Sequence, residues 1–519
     1  MSAAELFDAA GRPVIRLTSG DLPQILDQMG AALAGTFGDR LFSYAGGIAR
    51  IYPAEKSVPG VRRADGAVIV HPVEAPHLVE LLGRSATFER FDARRQAFTA
   101  ADPPRRAADA YLARGHWPEL HPLKGFLEAP TITLDGRIID EPGYDFHTGL
   151  FAAFNQIDGY RRPPERPDLA KAKGAAEYLR ETVKTFPFAS PCDESALLAL
   201  LVTAVVRRAI AAAPIFAITA PAPGTGKSLL AETAAIIATG RRAAVLSLGA
   251  DEKETEKRLH AVLLAGDAVL CLDNCEKPLH GDLLCQLSTQ AQVRIRPLGG
   301  SAVVTVPTSA LITATGNNLS VLGDLKRRTV LIGLDAGVER PEHRRFDGDH
   351  LATIAAARGK ILTAALTIVK AYVAAGAPAL DNWLAVGSFE QWDRMVRRPL
   401  VWAGLPDPLL PAESLRAADP DLDATRFLFA AWYAHFRSAP MSVNKVVAEA
   451  TACGGLNGDP INAELRDALN VVCMERIAPR RFAGWLLRHK DQIAEGLRLE
   501  QAGYDAHAKA LLWRIAEVR

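Results

Sequence analysis

The sequence predicts an α/β protein: a core with a mostly parallel sheet flanked by helices, a mixed α+β domain before it, and a winged-helix-like module after it. Three observations carry this expectation. At 519 residues the chain is too long for one ordinary hydrophobic core. Residues 214–335 run strand, loop, helix, strand, helix, strand, helix, strand pair, strand, and such alternation argues for parallel strands joined by helical crossovers. Near the C-terminus a basic helical segment precedes two strand-like runs, "GLRLEQAG" and "LLWRI".

Composition narrows the class. Hydrophobic residues make up 49% and charged residues 23%, which places the chain among soluble globular proteins. A formal charge of +1 excludes any argument for nucleic acid from overall basicity. A nucleic-acid surface would have to be local, and Arg327-Arg328 and Arg480-Arg481 are the clusters to inspect. Cys192, Cys271, Cys275, Cys285, Cys453 and Cys473 lack a paired zinc spacing and read as thiols of a reducing cytoplasm. The opening "MSAAELFDAAGRPVIRL" has neither a basic n-region nor a long apolar h-region, and the apolar run Ala196–Val206 is too short to span a bilayer. A cytoplasmic protein without membrane contact is expected.

In order, residues 1–160 alternate short β-type runs ("PVIRL", "LFSYAGGIARIY", "GAVIV", "ATFERF") with turns. "APTITLDGRIIDEPGYD" adds two short strands around Leu134-Asp135-Gly136. This is an N-terminal α+β domain without an assigned role. "RRPPERP" (161–167) is a proline-rich linker. Residues 168–212 form a helical connector, interrupted near Pro187 and Pro191. The α/β core occupies 213–345, a further helical segment 346–412, and the C-terminal module 422–519.

The chemistry concentrates where "APAPGTGKSLL" (220–230) follows the apolar run Ile215–Ile218. In G-x-x-x-x-G-K-[ST], backbone N–H groups and a helix N-terminus cradle phosphate, a lysine reaches the outer phosphate oxygens, and a hydroxyl binds Mg²⁺. Here Pro221 replaces the first glycine, at the strand exit and away from the closest phosphate approach. The candidate ATP-binding set is Pro223, Gly224, Thr225, Gly226, Lys227, Ser228 and Leu229. A second apolar strand, Val269–Leu272, ends in Asp273, placed to hold Mg²⁺ together with Ser228. Asn274 follows where an acidic residue commonly polarises the attacking water. Either Asn274 positions that water, or Glu276 or another acid contributes. "SALITATGNN" ends in Asn317-Asn318, polar groups suited to touch phosphate or water. Arg327 and Arg328, before the next apolar strand, read as donors to a neighbouring subunit's nucleotide or as a solvated charge cluster.

These features in this order resemble the AAA+ ATPases, and within them the superfamily 3 helicases of phages, plasmids and DNA viruses. "LLAGDAVLCLDN", "ATGNNLSVLGDLKRR", "LDAGVERPEHRRF" and the earlier "APTITLDGRIIDEPGYDFHTGLF" are similar to prophage-encoded primase-helicase proteins. The resemblance implies that Lys227 and Ser228 are the Walker A pair, Asp273 the Walker B acid, Asn317 the sensor and Arg328 the arginine finger. It implies a Mg²⁺- and ATP-dependent homo-hexamer acting on single-stranded or forked DNA in replication, beside a separate primase or initiator. Two other readings stay open: a loader or initiator that remodels DNA without processive unwinding, and a nucleotide-gated scaffold or defence protein.

Candidate DNA contacts follow. "VRIRPLGGSAVVTV" (293–306) reads as a hairpin around Gly299-Gly300, with Arg294 and Arg296 on one face. In superfamily 3 helicases such a hairpin enters the ring's channel; the other reading is a structural hairpin with solvated arginines. In the C-terminal module the helix spanning Arg480–Lys490 offers Arg480, Arg481, Arg488 and Lys490 to phosphates, or to a protein partner. Residues 1–160 show no constellation of metal-binding acids, so no priming activity is expected of them.

Overall fold

The computed structural model of the chain describes residues 7–53, 61–246, 252–296, 303–343, 348–381, 383–410, 420–454, 459–473, 476–507 and 509–518. The architecture is mixed α/β with several sheets, divided into two compact units, Met1–Ala412 and Glu413–Arg519.

The first unit is built on a six-stranded sheet in the order Thr329–Gly333, Ile215–Ala220, Leu311–Asn317, Val269–Leu272, Ala244–Leu246, Val61–Arg62. The first five strands are mutually parallel, and the sixth joins antiparallel at the edge. The central strands are continuous apolar runs because helices cover both faces. In Ile215–Ala220 every residue except Thr219 is buried, and Leu311–Asn317 is buried up to its last residue. The helices Leu169–Val183, Pro191–Val206, Lys227–Thr239 and His350–Ala374 pack one hydrophobic core. The opposite core takes the helices Glu252–Ala265 and Asp282–Thr289 and the hairpin of Gln292–Ile295 with Val304–Pro307. His350–Ala374 is long and apolar enough to cross a membrane, yet Ile361, Leu362, Leu366 and Tyr372 along it are fully buried in the first core.

The preceding residues form a three-stranded and a four-stranded sheet with the helices Leu22–Phe37, Ala75–Ser85 and Arg105–Ala113. They are tied to the main sheet by more than the edge strand. Arg63 makes a buried bidentate pair with Asp267, at 2.8 and 2.7 Å, and the Tyr44 hydroxyl donates to the Leu263 carbonyl. Arg207 is buried because its guanidinium donates to three carbonyls, those of Ala310, Ile210 and Thr308. Burial pushes it down to about 9.

The second unit packs Trp432, Phe482, Trp485 and Trp513 among the helices Pro420–Phe436, Val443–Thr451, Ala463–Val472 and Pro479–Arg488. Its antiparallel sheet has the order Met441–Ser442, Ala510–Glu517, Leu497–Asp505, Ile493–Ala494. The basic helix expected over Arg480–Lys490 stops at Arg488. The His489 amide closes it on the Trp485 carbonyl, and Asp491 turns the chain out of the helix at φ 65.

Candidate nucleotide site

Ile215–Ala220 delivers the chain to the C-terminal edge of the sheet, where "PAPGTG" turns it into the helix Lys227–Thr239. Two glycines make that turn. Gly224 has φ 75, and an added Cβ would lie 2.8 Å from the backbone nitrogen of Glu342. Gly226, the residue before the helix, has φ 100, and a Cβ there would lie 2.7 Å from Cε1 of Phe186. Both backbones sit where side chains are strained, and both approach other parts of the chain too closely for a Cβ. Pro221, Pro223, Gly224, Ser228 and Leu229 are exposed, whereas the Thr225 side chain packs inward. Lys227 donates from Nζ to the Ala222 carbonyl at 3.0 Å and to Thr225 Oγ1 at 3.2 Å, folded back over its own loop. Partial burial lowers its pKa, the desolvation expected of a cation awaiting an anion.

The strand Val269–Leu272 brings Asp273 to the same edge. Ser228 Oγ donates to Asp273 Oδ1 at 3.0 Å, although the two residues stand 45 positions apart. Thr315 Oγ1, from the strand between them, donates to the same carboxylate oxygen at 2.6 Å and accepts the Asn274 amide at 3.1 Å. Thr315 is 1% exposed, so this relay fixes the carboxylate from inside the protein. Asn274 itself is exposed at φ 52, a left-handed conformation that Asn tolerates better than most residues. The turn it makes lets the Cys275 amide donate to the Thr315 carbonyl at 2.7 Å. The sequence departure at Asn274 thus has a backbone cause as well as a chemical consequence.

Asn317 ends the strand Leu311–Asn317, opposite Ala220 in register, and is exposed beside the loop. The Asn318 amide donates to the Ala220 carbonyl at 3.0 Å, closing the loop strand against the Asn317 strand. Arg327 and Arg328 differ. The Arg328 side chain, 16% exposed, is held by Thr289 Oγ1 at 2.6 Å, the Cys285 carbonyl at 3.1 Å and Asp324. Arg327 pairs only with Asp324 among the described residues and is 65% exposed. Of the two, Arg327 is free to leave its own subunit, because Arg328 would strand two buried acceptors. Their hydrogen bonds hold the Asp324 carboxyl below the usual range.

The structure therefore brings together the loop, Ser228, Asp273 and Asn317, and leaves Arg327 and Arg328 on their own short helical turn, Gly323–Arg328. Arg294 and Arg296 are exposed while Val293 and Ile295 are buried, so both arginines share one face of the hairpin. Its expected tip, Leu298-Gly299-Gly300-Ser301, lies outside the described residues. In the second unit Arg480, Arg481, Arg488 and Lys490 are all exposed, and Arg481 also donates to the Cys473 carbonyl. Sequence reasoning missed Thr315, Phe186 and Glu342. Only Thr315 left a trace, as a hydroxyl inside the apolar run "LITATG".

No family model matches the chain, and no curated protein matches it. Among solved structures it is similar to two apo forms of the NrS-1 C-terminal region, each at 10% identity. One has a TM-score of 0.35 and covers 84% of this chain and 98% of that one; the other has 0.36, with 90% and 96%. It is also similar to an active helicase, SCCmec type IV Cch, at 12% identity and a TM-score of 0.32, covering 92% and 97%. Similarity at these TM-scores carries no weight for this chain's fold or activity.

Proposed function

We propose that the chain is an AAA+ ATPase of the superfamily 3 helicase type that moves along DNA as a ring-shaped hexamer, in phage or mobile-element replication. The observation that carries this reading is the contact between Ser228 Oγ and Asp273 Oδ1 at 3.0 Å, at the C-terminal edge of parallel strands and beside a glycine-turned loop. A hydroxyl and a carboxylate so placed fit a hard divalent cation, which takes oxygen ligands and keeps several waters. The space that a Cβ at Gly226 would fill fits a phosphate group drawn close to backbone N–H groups.

When bound, Mg²⁺ supplies charge neutralisation to the phosphates, with Ser228 and Asp273 as its protein ligands. The chain's own groups do the rest. The Lys227 ammonium exchanges the Ala222 carbonyl and Thr225 hydroxyl for phosphate oxygens. Thr315 keeps Asp273 in one orientation. Asn317, level with the loop's first residue, orients the attacking water, and Asn274 assists as a hydrogen-bonding group without accepting the proton. Arg327 is the residue suited to complete the site of a neighbouring subunit. The hairpin arginines Arg294 and Arg296 would grip a phosphate backbone without reading bases, and the exposed basic residues of a winged-helix-like second unit would make further phosphate contacts.

A forked-DNA strand-displacement assay with MgATP tests this. Unwinding by wild type, with Arg294→Ala/Arg296→Ala losing DNA stimulation but keeping DNA-independent hydrolysis, is the expected result. Nucleotide hydrolysis without displacement would favour a loader or initiator. Nucleotide binding without hydrolysis would favour a nucleotide-gated scaffold, the reading that Asn274 keeps alive.

A further inference from the structure

The loop helix Lys227–Thr239 has a second end with its own cavity. Thr239 and Gly240 line a hollow of about 480 Å³, closed by residues 153–158 and by Ala355, Ala356 and Arg358 of the helix His350–Ala374. That volume falls within the range of small-molecule sites, roughly 300–1,000 Å³. A helix of 13 residues spans about 20 Å. The cavity is thus remote from Lys227 and Ser228 and shares no lining residue with the nucleotide site.

Its charge is unbalanced. Arg358 donates from Nε to the Ile237 carbonyl at 3.1 Å and from Nη2 to the Glu128 carbonyl at 2.7 Å, which fixes the guanidinium plane. Gly240, at φ 76, leaves room for the remaining nitrogen: an added Cβ would lie 3.1 Å from Arg358 Nη1. Arg241 enters from the adjacent position and pairs with the buried Glu128 carboxylate. A smaller hollow of about 20 Å³ adjoins the cavity, sharing Val68, Glu128, Thr239 and Arg241, and Arg63 lines it. The Arg63 side chain is 6% exposed; Asp267 satisfies two of its nitrogens, while Nη1 is buried with no hydrogen-bond partner among the described residues. Three partly or fully buried guanidiniums therefore face two carboxylates. Burial lowers Arg241, and burial plus the charge of Arg241 lowers Arg358 to about 10, a cost that a bound anion would offset.

We propose that this cavity is a second anion site, taking a small phosphate-bearing ligand held by Arg241 and Arg358, with Asn155 and Gln156 hydrogen-bonding its remainder at the open rim. Guanidinium forks match phosphate oxygens in pairs, and the immobilised plane of Arg358 reduces the ordering cost of binding. The assignment does not depend on the nucleotide reading.

Calorimetric titration of the full chain with inorganic pyrophosphate tests it, using Lys227→Ala to disable the loop. Ala356→Trp fills the cavity from an exposed helix position without touching either arginine. The expected result is that Lys227→Ala still binds one pyrophosphate, and that adding Ala356→Trp weakens this at least tenfold. Glu128→Gln/Arg241→Gln, which removes a charge pair together, should do the same, so a folding failure of one variant leaves the other to decide. No pyrophosphate binding to Lys227→Ala, or binding indifferent to both cavity variants, overturns the proposal while leaving the nucleotide reading intact. Binding lost with Ala356→Trp but unchanged by Lys227→Ala would support this site and count against the loop.

Discussion

Gly226→Ala perturbs the loop at the point where its geometry is most demanding. The backbone there stands at φ 100, and the new Cβ would come within 2.7 Å of Phe186 Cε1. Holding a non-glycine residue in such a conformation costs about 1–3 kcal/mol, and the clash with the ring adds to this unless Phe186 moves. The free protein can relax by opening the turn, but phosphate binding requires the turn to close again, so the strain reappears as lost affinity. A loss of about 1–3 kcal/mol corresponds to roughly 5- to 150-fold weaker ATP binding. The assay is titration with a fluorescent ATP analogue in the presence of Mg²⁺. Phe186→Leu in the same chain removes the clash but not the φ strain, so the double variant should recover part of the loss and remain at least about fivefold weaker than Phe186→Leu alone. Wild-type affinity in Gly226→Ala would refute the claim that this loop, in this conformation, holds phosphate.

Other consequences follow from single contacts. Thr315→Val keeps the side-chain shape and removes the hydroxyl that holds Asp273; hydrogen bonds to charged groups contribute about 1.5–3 kcal/mol, so kcat at saturating MgATP should fall ten- to a hundredfold, by about 1.4 kcal/mol per decade. Arg328→Ala abandons Thr289 and the Cys285 carbonyl and should lower the thermal transition by several degrees, about 1–3 kcal/mol for stranded acceptors. Arg327→Ala, at an exposed position, should leave the transition unchanged and lower hydrolysis only in the assembled oligomer, as subunit-mixing experiments would show. Burial pushes the Cys271 and Cys275 thiols up to about 12, so alkylation at pH 8 should label exposed Cys453 and spare both until the protein unfolds, as mass spectrometry would report.

The parts of the fold that the sequence discloses are those set by neighbours in the chain. The apolar run Ile215–Ile218, the glycines after it and the helix from Lys227 are local signals, and all three elements stand where they are expected. Asp273 at a strand end is equally local. What could not be read depends on contacts across the chain. Val61–Arg62 has only two residues in the sheet, too few for any periodicity. Arg207 looks like a surface charge, because nothing nearby in sequence shows the three carbonyls that bury it. Phe186 reaches Gly226 from 40 positions away, and no pattern in either segment predicts the other. The helix His350–Ala374 surpasses the Ala196–Val206 run as the longest apolar candidate for a membrane span, since interspersed Lys, Arg and Thr conceal it in a residue-by-residue scan.

Steady-state ATP hydrolysis with and without single-stranded DNA, with Lys227→Ala as the blank, tests the central claim most directly. A Ser228–Asp273 pair organised for Mg²⁺ beside a phosphate loop predicts Mg²⁺-dependent turnover above the blank, raised further by DNA. A rate equal to that of Lys227→Ala, with DNA or without it, would contradict the account of this chain as a nucleotide-driven motor.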